Sequence, residues 1–178
     1  VFVNGNFRGI LYRNDTDAAF RIRIPAEGAE LSILVENMGR ICYGYKMLQE
    51  HKGILDCVIL DRALGDAAPY SVASIVTNWE NRSLPFRYPQ VEKALAAEDP
   101  APAAAPEPML YSGTFTALPG VDTFLQYFGR NMTRGQVWIN GFSIGRYWAV
   151  GPQDTLYIPG DLLQTENRIE ILEQYGTG

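Results

Sequence analysis

Aromatic and polar residues within residues 138–153 carry the chemistry that this sequence offers most clearly. They are Trp138, Arg146, Tyr147, Trp148 and Gln153. Flat aromatic rings stack on the apolar face of a sugar, and arginine and glutamine side chains can hydrogen-bond sugar hydroxyls. The same ring types also dominate protein cores and interfaces. We therefore expect packing to be their main role, with sugar contact as the alternative.

Other ionisable residues do not form a recognisable catalytic or metal site. Four acids flank turns or alternate outward along strands, which predicts solvated side chains. These acids are Asp154, Asp161, Glu166 and Glu170. His51 is the one histidine, and it has neither a nucleophile signature nor a second metal ligand. We predict no catalytic residue, no metal site and no cofactor.

A β-hairpin over residues 134–153 must position the aromatic residues. Residues 137–139 are a β-branched and aromatic run, which favours a strand. Asn140 and Gly141 follow at once, and this pair suits a tight type I′ turn because both of its central positions need positive φ. An apolar strand pattern resumes at Ile144. The hairpin is the element around which we expect the second half of the chain to fold.

The start of the chain repeats this pattern. Residues 1–9 match residues 137–145 in the spacing of their strand, their Asn-Gly turn and a second glycine. Further along, each copy has another strand that ends in an acid, Glu36 in the first copy and Glu173 in the second. We infer two domains of one type in succession. The two acids would then lie in separate domains and accept hydrogen bonds from turns.

The spacing of the strands indicates the fold class. Short strands with turn residues between them and little helical periodicity predict an all-β fold of two consecutive jelly-roll β-sandwich domains. Residues 1–62 would form the C-terminal part of a first domain that is truncated at its N-terminus. Residues 63–178 would form the second domain, with a Pro/Ala-rich loop at residues 94–108. We expect residues 1–62 to pair with another copy of the chain or with a separate N-terminal fragment.

Composition limits the class of partner. The 178 residues are 47% hydrophobic and carry a net charge of −5, and their basic residues are scattered, which argues against a nucleic-acid or anionic-membrane surface. No apolar run reaches the ~20 residues that span a bilayer. Cys42 and Cys57 lack a metal-binding spacing. We expect free buried thiols, with one disulfide as the alternative. The compartment is not fixed, although a bacterial cytoplasm is favoured over a secreted or lysosomal location.

Several motifs resemble the C-terminal region of family 35 β-galactosidases. In the second half of the chain they are DTFL at residues 122–125, RGQVWING at 134–141, GRYW at 145–148, GPQ at 151–153 and TLYIP at 155–159. The preceding β-domain of the same enzymes is resembled by VENMGR at 35–40, YG at 43–44 and KGI at 52–54. The resemblance covers both ends of the chain and fades between residues 63 and 108.

The resemblance implies an enzyme in which a (β/α)₈ barrel with two catalytic glutamates precedes two galactose-binding-like β-domains. No position of this chain matches the barrel glutamates, so no catalytic residue is carried over. The implied role is a non-catalytic region that supports the barrel of a β-galactosidase and shapes substrate access to it. The alternative is an autonomous carbohydrate-binding module that contacts galactosides through Trp138, Tyr147 and Trp148. The resemblance leaves open whether the assembly is a homo-oligomer.

Overall fold

The computed structural model describes most of the chain. It covers residues 1–13, 19, 21–37, 39, 41–63, 71–97, 108–127 and 132–175. Within these residues the regular structure consists of eleven strands, one α-helix and two short 3-10 turns at Met47–Gln49 and Gly160–Leu162. The predicted all-β fold is confirmed.

The chain divides into two compact units, residues 1–83 and 84–178. The predicted division after Arg62 falls inside an antiparallel hairpin, in which β4 (Ile59–Ala63) pairs with β5 (Ser71–Ile75). Both strands of this hairpin belong to the unit of residues 1–83. Most of the predicted loop at residues 94–108 lies outside the described residues.

The first unit is organised around a short hairpin at the start of the chain. Strand β1 (Phe2–Val3) turns through Asn4 and Gly5 into β2 (Asn6–Phe7) and pairs on its other side with β3 (Leu31–Ser32). The Val3 side chain is buried.

The second unit contains one helix and six strands. These are α1 (Tyr88–Leu95), β6 (Met109–Thr116), β7 (Thr123–Gln126), β8 (Arg134–Ile139), β9 (Phe142–Trp148), β10 (Thr155–Ile158) and β11 (Glu166–Glu173). Four of the strands form an antiparallel sheet in the order β6-β11-β8-β9, and β10 pairs with β7.

The two faces of the four-stranded sheet have different neighbours. Val137 and Ile139 of β8 point to one face, called the inner face here, and join a hydrophobic core that includes Leu156 and Ile158 of β10. Because side chains alternate along a strand, Trp138 points to the opposite, outer face. Helix α1 lies over that outer face, since its Tyr88 hydroxyl donates to a strand β11 carboxylate there, as described below.

Candidate functional site

The β8–β9 hairpin has the predicted turn. Asn140 has a φ of 49° and Gly141 a φ of 83°, so both central positions take the positive φ that a type I′ turn requires. One residue is inserted in β9, because Val137 pairs with Gly145 whereas Trp138 pairs with Ser143. This bulge leaves Ile144 without a partner in β8 and sets which face each later β9 side chain occupies.

The hairpin buries two of the predicted sugar-contacting rings on opposite faces of the sheet. Trp138 and Tyr147 are each 2% exposed, and Tyr147 belongs to the inner core, whereas Trp138 points to the outer face. The Tyr147 ring packs against the Tyr127 ring with centroids 5.0 Å apart. In this arrangement the two rings present no common surface to a ligand, and their contacts are those of packed core residues.

The other three predicted residues lie nearer the surface. Trp148 is half-buried, and Arg146 and Gln153 are exposed. The Gln153 side-chain amide donates to the Thr155 carbonyl at 2.8 Å, a local bond within its loop. The structure therefore does not gather the five predicted residues around one pocket.

Sequence reasoning missed a stacked arginine beside Trp148. The guanidinium carbon of Arg134 lies 5.0 Å from the Trp148 ring centroid and 5.8 Å from that of Tyr175. Its Nη1 donates to the Tyr175 hydroxyl at 2.9 Å. A guanidinium near the faces of two aromatic rings is attracted to both. With the hydrogen bond, these contacts join Tyr175 to β8.

Glu173 accepts hydrogen bonds from the start of β8, from β9 and from the residues that follow β11. Its buried carboxylate accepts from the Thr133 N–H at 2.9 Å, from the Thr133 hydroxyl and from the Arg134 N–H at 3.3 Å. The Tyr147 hydroxyl donates to it at 2.8 Å and the Tyr175 N–H at 3.1 Å. Glu173 therefore has the structural role expected of it, and these bonds occupy both of its oxygens.

The Tyr147 hydroxyl is held in its neutral form. Burial raises the pKa of Tyr147 well above its ordinary value, and the hydrogen bond to Glu173 raises it further. Hence this phenol acts as a donor to the carboxylate and is not poised to lose its proton.

The prediction that Glu170 is solvated is wrong, because its carboxylate is fully buried on the outer face. Oε1 accepts from the Tyr88 hydroxyl at 3.2 Å and forms an ion pair with Arg168 Nε. Oε2 has no hydrogen-bond partner among the described residues. The sequence pattern could not show this burial, since α1 provides the Tyr88 partner from a distant part of the chain.

The remaining predicted acids do not assemble into a site. Asp154, Asp161 and Glu166 are exposed, as predicted, and His51 is exposed too. Glu36 is half-buried in the first unit. Val3 pairs with Leu31 and Ile139 pairs with Ile169, so Val35 in the first unit corresponds to Glu173 in the second. Glu36 lies one position further along the chain. It also lies beyond β3, which ends at Ser32, so the predicted strand ending in Glu36 is not observed.

The two cysteines do not form a disulfide. Cys42 and Cys57 are free, but both are exposed, so the expectation that they are buried is wrong. Within the described residues no group of His, Cys, Asp and Glu could hold a metal ion, and no helix is long and apolar enough to cross a membrane.

Comparisons with known proteins agree with the fold of both units. The family model for the first all-beta domain of beta-galactosidase matches residues 1–71, and the model for the beta-galactosidase galactose-binding domain matches residues 108–167.

Curated relatives match nearly the whole chain but only part of their own length. The beta-galactosidase of Bos taurus is 38% identical over 97% of this chain and 27% of the relative. The beta-galactosidase of Homo sapiens is 35% identical over 97% of this chain and 26% of the relative. The beta-galactosidase-1-like protein of Mus musculus is 36% identical over 97% of this chain and 25% of the relative. The chain thus spans about a quarter of the length of these relatives.

Proposed function

We propose a function on the premise that this chain belongs to the C-terminal β-domain region of the β-galactosidase family. Its two units act as a non-catalytic support for a (β/α)₈ barrel that hydrolyses terminal β-galactosides, and they shape the access of substrate to that barrel. The barrel would correspond to the part of the relatives' sequences that this chain does not span.

The proposal rests on the positions and bonding partners of the two buried carboxylates, those of Glu170 and Glu173. A retaining glycosidase needs two carboxyl groups about 5 to 5.5 Å apart that both face the substrate. Glu170 and Glu173 instead point to opposite faces of the sheet, where Glu170 meets Tyr88 and Arg168 and Glu173 meets the ends of β8 and β11. Both acids are held within the second unit by its own donors, which suits a supporting role.

Galactoside turnover by Glu173→Gln in the complete enzyme tests the proposal. Removing the charge from a buried, multiply bonded carboxylate should destabilise the second unit by about 3 kcal/mol. Turnover per folded molecule should stay within about twofold, because a stability effect of this kind leaves the barrel chemistry intact. Glu166→Gln is the matched control, since Glu166 is an exposed acid on the same strand. Turnover that falls a hundredfold while the melting temperature holds would contradict the supporting role.

The chain by itself gives a second test of the same proposal. Purified chain should show no turnover of a chromogenic β-galactoside. Turnover that disappears when one of the chain's own acids is replaced would place the chemistry here.

The second candidate is the carbohydrate-binding module, which is favoured by the description of the family model over residues 108–167 as a galactose-binding domain. Because Trp138 and Tyr147 are buried, a bound sugar would contact Trp148, Arg146 and Gln153. Titration of the chain with galactose and with galactan, followed by NMR, separates the candidates. Saturable shifts at these three residues support the module, whereas unchanged spectra support the structural role.

A further inference from the structure

The second unit has an open seam between strands β6 and β7. Among the described strands, β6 has a hydrogen-bonded neighbour only in β11, and β7 only in β10. A groove of about 490 Å³ opens at this seam. It is lined by the end of β6 and the start of β7, and on its inner side by Ile139, Ile158, Leu163 and Ile169. Its lining is mainly apolar and includes Phe115, Leu118 and Val121. A groove of this size and lining can take large apolar side chains.

The pairing of β7 with β10 shows which of its peptide groups face the seam. The Tyr127 N–H donates to the Asp154 carbonyl at 3.4 Å, so these two residues form a hydrogen-bonded pair. Along the two antiparallel strands, hydrogen-bonded and non-hydrogen-bonded pairs alternate from there. By this alternation Leu125 exchanges bonds with β10, whereas the N–H and C=O groups of Phe124 and Gln126 point away from it. Among the described residues none hydrogen-bonds these groups, so this edge of β7 is unpaired within the described part of the chain. An unpaired strand edge can pair with an added strand.

Exposed apolar side chains surround this edge. Phe124 is 64% exposed, and its ring lies 5.6 Å from that of Tyr157, its cross-strand partner. Leu118 and Val121, in the loop that leads into β7, are also exposed. A contiguous apolar patch beside an unpaired edge is typical of a surface that a protein partner covers.

The charges at the seam limit what can cover it. Residues 118–127 and 153–163 contain three acids, Asp122, Asp154 and Asp161, and no lysine, arginine or histidine. The backbone N–H of Gly160 donates to Asp122 at 2.8 Å, which stabilises its carboxylate form. A second copy of this surface would bring three further acids against these, which is unfavourable. A basic partner would be attracted instead.

We propose that the free edge of β7 receives an extended segment, with apolar residues and flanking Lys or Arg, from the part of the β-galactosidase that this chain does not span. The segment adds a strand beside Phe124 and Gln126 and places an apolar side chain in the seam groove. Its basic residues lie against Asp122 and Asp161. Main-chain bonds then supply affinity, and the groove and the acids supply specificity. The inference rests on the proposed function, because the relatives contain the additional length that would provide the segment.

Hydrogen exchange tests this inference at single amides. The amides of Phe124 and Gln126 are followed in the chain alone and in the complete enzyme, with galactoside turnover measured on the same enzyme sample. Both amides should exchange quickly in the chain alone and at least about tenfold more slowly in the complete enzyme. Phe124→Ala in the complete enzyme should reduce the protection of the Gln126 amide. Phe142→Ala is the matched control, because Phe142 is an aromatic residue of β9 that is 56% exposed, and it should leave that protection unchanged.

Each alternative has its own result. Equal exchange in the two samples overturns the inference, and so does protection that appears in the chain alone as its concentration rises, since that identifies a second copy as the occupant. Equal loss of protection in Phe124→Ala and Phe142→Ala also overturns it. An enzyme that hydrolyses β-galactosides with both amides unprotected defeats this inference alone, whereas protected amides in an inactive complete polypeptide defeat the proposed function.

Discussion

The two Asn-Gly hairpins have the same local geometry. Asn4 has a φ of 50° and Asn140 a φ of 49°, and each is followed by a glycine with positive φ. The Asn4 side-chain oxygen accepts from the Glu30 N–H at 2.8 Å, and that of Asn140 accepts from the Arg168 N–H at 2.9 Å. The backbone N–H of Asn4 also donates to the Glu30 carbonyl, and that of Asn140 donates to the Arg168 carbonyl, both at 2.9 Å.

The two hairpins differ in their surroundings. Asn4 is exposed, and a Cβ added at Gly5 would meet nothing within 4 Å. Asn140 is half-buried and also donates to the Leu162 carbonyl and the Asn167 side chain, both at 2.8 Å. Thus the same turn is encoded locally in both units, but the surrounding side chains determine how much stability depends on it.

Replacing the turn glycines should give the largest contrast between the two hairpins. A Cβ at Gly141 would lie 2.9 Å from the Tyr88 ring, and Tyr88 is held by its bond to Glu170. Gly141→Val should destabilise the second unit by about 2–4 kcal/mol, from backbone strain and this clash. Gly5→Val, with strain alone, should destabilise the first unit by about 1–2 kcal/mol. Urea unfolding followed by the NMR signals of each unit measures both, and equal losses would show that Tyr88 adds nothing.

Replacing the asparagines separates hydrogen bonding from backbone strain. Asn140→Ala removes three side-chain hydrogen bonds and should lower the free energy of unfolding by about 2–3 kcal/mol. Asn4→Ala removes the bond with Glu30 and should lower it by about 1 kcal/mol. Alanine meets the same positive φ at both sites, so strain cancels in the comparison. A greater loss for Asn4→Ala would reverse our ranking of the two hairpins.

Alkaline pH should affect the second unit through Tyr147. Because its folded pKa is raised above the unfolded value of ~10, its contribution is complete below that pH and is lost as pH rises further. Tyr147→Phe should lower stability at neutral pH by about 1–2 kcal/mol through the lost bond to Glu173. It should also make the loss of stability above pH ~10 less steep, by up to about 1.4 kcal/mol per pH unit. Tyr43→Phe, at a residue of the first unit that is 91% exposed, is the control. An unchanged slope in Tyr147→Phe would contradict the prediction.

The hairpins could be predicted from sequence because their code lies within a few residues. An Asn-Gly pair after a β-branched run specifies positive φ without help from distant residues. Helix α1 was not predicted, although the proline in its first turn is a usual signal of a helix start. With the helix missed, Glu170 was assigned to solvent. The contacts of Arg134 with the Trp148 and Tyr175 rings depend on residues far apart in the chain, which no local pattern reports.

Acid should affect the first unit through Glu50, the smallest effect that we predict. Its carboxylate accepts from Lys52 Nζ at 2.6 Å, from the Ile41 N–H at 2.7 Å and from Arg13 Nη1 at 3.3 Å. The Lys52 hydrogen bond and then the Ile41 N–H lower the pKa of Glu50 to about 2. A lowered folded pKa means that the stabilisation is complete above the usual value of 4.5 and is lost as pH falls through about 2.

The Ile41 amide signal reports the titration of Glu50, and two charge-removing variants rank its partners. Lys52→Met should raise the pH of the transition more than Arg13→Met, because the Lys52 bond is the largest cause of the shift and the Arg13 charge the smallest. The second unit should show no matching change, since Glu50 and its partners all lie in the first unit. A transition near the usual value in the unchanged chain, or a larger shift for Arg13→Met, would mean that this cluster does not hold the segments around residues 13, 41 and 50 together. From these contacts we infer that ion pairs near the surface stabilise the first unit, whereas buried hydrogen bonds stabilise the second. Either result would contradict that difference.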